Sequence, residues 1–196
     1  YIRLQSRTSQ TLATSAWDTV SYLQWRQHKR LFDGLVYGVL LALLIYNLSL
    51  FYVLKDRGYG HYVLTGMAAL FTLASFNGHV AHYLLGDWPW WQQRANVLGS
   101  ALWVAFGALF CRSFLDTRTR LPGWDKLLLT CVAVALGAAL SALAGHTTLG
   151  QQAAEWASSI GALLAAWAAV LVWRQGFRPA AWYLGGQSLL FLSALG

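Results

Sequence analysis

The chain has 196 residues, of which 57% are hydrophobic and only 11% are charged. Soluble domains carry about 25% charged residues, so this composition excludes an ordinary water-soluble protein and indicates a chain embedded in lipid. The net charge of +7 does not indicate nucleic-acid binding, because the basic residues are spread through the short gaps between apolar runs.

The first residues differ from the rest of the chain. Residues 1–6 alternate apolar and polar side chains, which is the period of a half-buried strand. Because a lone strand is unstable, we expect residues 1–15 to be the last strand of a β-rich extracytoplasmic domain that precedes Tyr1. Residues 16–33 are expected to be a linker that leads to the membrane.

Six apolar runs follow this linker, and each approaches the roughly 20 residues that a transmembrane helix needs. Short connections make consecutive helices antiparallel neighbours. The sequence therefore predicts an all-α, polytopic helical bundle over residues 34–196. Since the last run stops at Gly196 inside an apolar stretch, we expect the chain to be a piece of a longer polypeptide. The predicted spans are 34–54, 61–84, 95–115, 127–144, 156–173 and 179–196.

The basic residues predict the orientation of the bundle. Eight of them lie in the odd-numbered connections, whereas the even-numbered connections contain Arg94 alone; Arg26, Lys29 and Arg30 before the first span raise the outer count to four. Cytoplasmic loops are enriched in Lys and Arg, so we expect the N-terminus outside and the odd connections inside. The eight are Lys55, Arg57, Arg112, Arg118, Arg120, Lys126, Arg174 and Arg178, and Arg112 is expected to extend towards the interface.

A few residues in the first two spans are candidates for helix packing. Gly34 and Gly38 have the GxxxG spacing that lets a second backbone approach closely, although small residues are common enough in membrane helices for chance to explain it equally well. Asn47 lies in mid-span next to Tyr46, and its amide is expected to hydrogen-bond to a neighbouring helix. Asn77 in the second span is the same kind of residue.

No catalytic, cofactor or metal site is predicted. His79 and His82 have helical spacing suited to a metal, but no second pair or carboxylate lies close in sequence. Ser75 with His79 is the sole weak candidate for a nucleophile and base. The spans contain no Asp, Glu, Lys or Arg in their cores, whereas transporters and pumps use intramembrane ionisable groups.

The remaining polar and sulfur residues have structural explanations. Cys111 and Cys131 are expected to be small packing residues. Glu155 is expected to begin the fifth span, where the helix dipole stabilises an acidic side chain.

The residues that follow carry a resemblance to a known family. Tyr46-Asn47-Leu48 followed by the turn Lys55-Asp56-Arg57 resembles the bacterial seven-transmembrane receptors with diverse intracellular signalling modules. The similarity covers residues 31–125 well and the remainder in helix spacing. It is also carried by Asn77-Gly78, Tyr83-Leu84, Trp88-Pro89-Trp90 and Arg112-Ser113-Phe114-Leu115.

The resemblance implies a receptor in the bacterial inner membrane with a periplasmic N-terminus. A periplasmic jelly-roll domain, similar to carbohydrate-binding modules, would bind a small-molecule ligand before the helices. The resemblance also implies that the seventh helix of the bundle is missing and would follow Gly196. A cytoplasmic output would come after it, either a histidine kinase of a two-component system or a GGDEF diguanylate cyclase of cyclic-di-GMP signalling. A homodimer is implied as well, and this fragment is not expected to be an enzyme. The alternatives are a transporter or channel subunit, and an intramembrane enzyme.

Overall fold

The computed structural model describes residues 18–80, 83 and 88–195, and within them it contains helices and no β-strand. The predicted all-α fold is therefore confirmed for this part of the chain, whereas the predicted strand in residues 1–15 lies outside it. The helices are α1 (Thr19–Leu54), α2 (Arg57–Phe76), α3 (Pro89–Leu115), α4 (Thr117–Arg120), α5 (Pro122–Leu143), α6 (Thr147–Arg174) and α7 (Pro179–Leu195).

Four of these helices are long and apolar enough to cross a membrane. They are α1, α3, α5 and α6, with spans of 22 to 35 residues. The remaining predicted runs correspond to α2, with 20 residues, and α7, with 17, which do not meet the same measure of length and hydropathy. The chain is a polytopic membrane protein.

The first helix begins at Thr19 rather than at Gly34, so most of the predicted linker is helical. Asp18 caps this helix by accepting a hydrogen bond from the backbone N–H of Ser21 at 3.3 Å, and hydrogen bonds from Ser21 lower the pKa of the Asp18 carboxyl. The 36 residues of α1 are about 54 Å long. Because a bilayer core is about 30 Å thick, the first turns of α1 extend beyond it.

The turn between α1 and α2 is built by three consecutive residues. Lys55 ends α1 in the left-handed conformation, with φ of 51°, and Asp56 caps α2 by accepting from the N–H of Gly58 at 2.7 Å. The second helix then starts at Arg57 and ends at Phe76, not at residue 84. The break coincides with Gly78, whose φ of +76° is a conformation that residues with a Cβ rarely adopt.

The predicted start of the fifth span was also wrong. The helix α6 begins at Thr147, so Glu155 lies inside it and not at its N-terminus. Its carboxylate accepts a hydrogen bond from the Gln151 side chain at 2.8 Å. Residues 147–152 resemble a loop in sequence because they are polar or small apart from Leu149.

The helix α3 is the centre of the bundle, since it packs against α2, α5 and α6, whereas α1 packs on α2 and α7 packs on α6. Small side chains line the contacts between α3, α5 and α6, among them Ala101, Ala138 and Ala154. In lipid there is no hydrophobic driving force for apolar side chains to pack together, so the helices associate through close van der Waals contact between small residues.

We expect Gly150→Ala to destabilise the bundle by about 1–3 kcal/mol. A Cβ at Gly150 would lie 2.8 Å from the backbone carbonyl oxygen of Ala138, so α5 and α6 must separate. Thermal unfolding of the purified chain in detergent measures the effect. The control is Gly137→Ala, because the Cβ there meets open space, and it should be neutral or stabilising by up to about 1 kcal/mol. Equal melting temperatures for the two variants would contradict this packing.

Candidate signalling site

The strongest polar contact in the described bundle joins the end of α3 to the start of α5. The Arg112 guanidinium donates from Nε to Oδ1 of Asp125 at 2.7 Å and from Nη2 to Oδ2 at 2.9 Å. This geometry is bidentate, the form in which arginine binds carboxylates most strongly. The pair is largely removed from solvent, with 21% of the Arg112 side chain and 10% of the Asp125 side chain exposed.

The same carboxylate also holds the short helix α4. Thr117 is fully buried and donates from Oγ1 to Oδ1 of Asp125 at 2.7 Å. The chain reaches α4 through Asp116, whose φ is 48° and whose carboxylate accepts from the Thr119 hydroxyl. Asp125 lies in the first turn of α5, where the helix dipole favours a negative charge. We refer to Arg112, Thr117 and Asp125 as the signalling cluster.

Two further contacts connect this end of the bundle to the other helices. The Ser113 hydroxyl lies 2.7 Å from Nδ1 of His61, which joins α3 to the start of α2. The Arg120 guanidinium lies over the ring of Phe177, 4.7 Å from its centroid, in the connection between α6 and α7. The signalling cluster therefore lies where α2, α3, α4, α5 and the α6–α7 connection meet.

An apolar core lies next to the cluster and includes α7. Leu115, Leu128 and Val172 are fully buried there. The Tyr183 ring of α7 stacks on Phe114 of α3, with 5.9 Å between the centroids. A change in the position of α3 would therefore move Phe114 against Tyr183 and displace α7 or break this contact.

The opposite end of α2 contacts α1 through polar groups. The Asn77 amide donates to the Tyr37 hydroxyl at 2.9 Å, and the Tyr37 ring packs edge-on against His79 at 5.8 Å between centroids. Asn77 thus makes an interhelical hydrogen bond. His82 lies outside the described residues, so its predicted pairing with His79 stays a prediction.

The other packing candidates are placed differently. The Asn47 amide donates to the carbonyl of Leu43 in its own helix at 2.8 Å, so its partner in the described structure lies in the preceding turn, and the expected bond to a neighbouring helix stays a prediction. Tyr46 is exposed, and a Cβ at Gly34 or Gly38 would meet nothing within 4 Å. No described helix covers this glycine face, and the homodimer stays a prediction.

The weak candidate for a nucleophile and base is not assembled. The Ser75 hydroxyl donates to the carbonyl of Phe71 at 2.8 Å, while His79 packs against Tyr37 and Tyr83. The signalling cluster is a strong link of defined geometry between helices.

The pairing of Arg112 with Asp125 was missed by the sequence analysis, which expected Arg112 to extend towards the interface. A signal for it exists in the sequence. The two residues are 13 apart and flank a turn that contains Pro122, so the antiparallel helices bring opposite charges to the same level. A basic residue at one helix end and an acidic residue at the next helix start predict such a pair.

The fold and the site together define a polytopic helical membrane protein whose helices are joined by a buried ion pair at one end. The family described as 7TM diverse intracellular signalling matches residues 29–196. The chain belongs to this family of membrane receptors with intracellular signalling. Searches of curated proteins and of solved structures gave no match.

We expect Asp125→Asn and Arg112→Gln each to destabilise the bundle by about 3 kcal/mol, because each leaves a buried charge without its partner. The double variant should be destabilised by less than the summed effects of the two single variants. The difference is the coupling energy of the pair, which we expect to be about 1–3 kcal/mol. Reversible unfolding in mixed micelles gives the four free energies of the cycle. Glu155→Gln is the control, since Glu155 is exposed and its loss should change stability by less than about 0.5 kcal/mol. Additive single effects would show that the pair is not formed.

Proposed function

We propose that this chain is the membrane relay of a signal receptor. In this proposal it couples a periplasmic ligand-sensing domain to a cytoplasmic output module, either a diguanylate cyclase or a histidine kinase. The observation that carries the proposal is the family match over residues 29–196. The small-molecule ligand, for which the resemblance suggests a carbohydrate-like compound, would bind outside the bundle.

The signalling cluster gives the relay a physical basis. A ligand shifts an equilibrium between two arrangements only by its different affinity for them, so the bundle must have discrete arrangements to choose between. Sliding α3 against α5 would break the two Arg112–Asp125 hydrogen bonds and the bond from Thr117. A short, bidentate contact of this kind resists small displacements and favours a switch between distinct states.

We also propose that the cluster faces the cytoplasm of the bacterial inner membrane and that the N-terminus is periplasmic. The contacts of His61 with Ser113 and of Arg120 with Phe177 support this orientation. They bring the three connections that are rich in Lys and Arg to one end of the bundle. Such an accumulation is typical of the cytoplasmic side.

Reporter fusions test the orientation. A fluorescent protein fused after Arg120 should fluoresce, because it folds in the cytoplasm, and alkaline phosphatase at the same position should be inactive. Fusions after Gly145, in the α5–α6 connection, should behave in the opposite way. The reverse pattern at both positions would contradict the proposed orientation.

Assays of the full-length protein in membrane vesicles test the relay. We expect either synthesis of cyclic-di-GMP from GTP or autophosphorylation from ATP. Combining Arg112→Gln with Asp125→Asn should change this basal output by up to about tenfold, since losing about 1.4 kcal/mol of preference for one arrangement changes the equilibrium constant between the arrangements tenfold. Arg174→Gln, at the exposed end of α6, is the control and should leave the output unchanged. Solute uptake by vesicles with neither activity would instead favour a transporter.

A further inference from the structure

A second arginine of α3 is buried at the end of the bundle opposite the signalling cluster. Arg94 lies in the second turn of α3 and is 8% exposed, although the sequence analysis had placed it in a loop. Its guanidinium lies over the ring of Trp90, 4.1 Å from the centroid. Its Nη1 donates to the Trp90 carbonyl at 2.8 Å.

One edge of this guanidinium is not satisfied by the described protein. The Nε atom is buried and has no hydrogen-bond partner. Beside it, Nη2 faces the α5–α6 connection, where a Cβ at Gly145 would lie 3.6 Å from it. The ion pair identified within the described ranges belongs to Arg112 and not to Arg94. A buried donor without an acceptor is costly, and more so when it carries charge.

A comparison of the two arginines shows what is missing at Arg94. Arg112 presents its Nε and Nη2 edge to both oxygens of Asp125, whereas Nε of Arg94 has no acceptor. Eighteen residues separate them (112 − 94), which is about 27 Å along a helix. That distance approaches the roughly 30 Å of a bilayer core, so the two guanidinium groups lie near the two headgroup levels.

The start of α3 adds positive charge near this guanidinium. Its first turn contains no acidic residue, and Trp88 forms no side-chain cap. Pro89 has no N–H. The N–H groups of Trp91 and Gln92 both donate to the Trp88 carbonyl, so the first turn contributes the partial positive charge of the helix dipole. This charge disfavours a buried cation beside it, and an anion at this end of the helix would offset both positive charges.

We propose that Arg94, at the N-terminal end of α3, binds a phosphate-type oxyanion. The planar fork of arginine suits two oxygens of such a group. The phosphate comes from an anionic lipid headgroup or from free phosphate. The other end of α3 carries Arg112 of the signalling cluster. If the proposed function holds, an anion bound at Arg94 would therefore act on the same helix that the signalling cluster joins to α5.

The test uses the purified chain in a neutral detergent with two probes. Inorganic phosphate is titrated against sodium chloride of equal ionic strength while the melting temperature is followed. Phosphatidylglycerol is added separately, and bound lipid is counted by native mass spectrometry. We expect one probe to bind with at least tenfold loss of apparent affinity in Arg94→Gln and a smaller loss in Arg94→Lys, which keeps the charge without the fork. The probe that binds identifies the source of the phosphate.

Arg174→Gln is the matched control, because it removes one exposed arginine at the other end of the bundle, and it should bind as the wild type does. The proposal is wrong if the wild type responds to neither probe beyond the chloride control, a result that needs no variant to fold. It is equally wrong if Arg94→Gln and Arg174→Gln bind alike. Asp87 carries a carboxylate seven residues before Arg94 in the sequence. If binding appears only in Asp87→Asn, this carboxylate competes with the anion and the proposal is wrong.

Discussion

The constraint on which this structure depends is that hydrocarbon offers no hydrogen-bond partner to polar groups. The backbone meets it by forming helices, and many polar side chains meet it in the same way. Thr65, Thr72 and Ser75 each donate to the carbonyl four residues earlier, as does Asn47. Polar groups that satisfy themselves within one helix leave its surface free for lipid or for apolar packing. Polar groups that bond between helices therefore mark the places where the relative positions of the helices are fixed.

Such interhelical polar contacts lie towards the ends of the helices, and small residues pack between them. In the middle of α6, a Cβ at Gly161 would lie 3.8 Å from Sγ of Cys131 in α5, and contacts of this kind depend on shape alone. At one end, Asp125 joins three helices through Arg112 and Thr117. A bundle with a close-packed middle and a specific polar link at its end can shift as a whole between arrangements, which suits a member of a signalling family.

The central position of α3 connects most of the other helices to one another. The helix contacts α2, α5 and α6, carries Arg112 at one end and Arg94 at the other, and contacts Tyr183 of α7 through Phe114. In contrast, α1 packs on α2 and reaches it through Tyr37 and Asn77. A movement of α1 would therefore reach the signalling cluster through α2 and α3, a continuous path of packed helices.

The amino-acid sequence determined the class of the fold, because uncharged runs near membrane length have few stable alternatives in lipid. It also determined the turn at Lys55, Asp56 and Arg57, since capping is a local matter, and the family followed from the residues around that turn. The sequence did not show where α1 and α6 begin, because a helix can continue through polar residues such as Arg26 and Gln152. Tertiary structure alone decided that Arg112 meets Asp125 and that the Asn47 amide donates to Leu43 of its own helix. Both outcomes depend on which groups the packed helices bring within hydrogen-bonding distance.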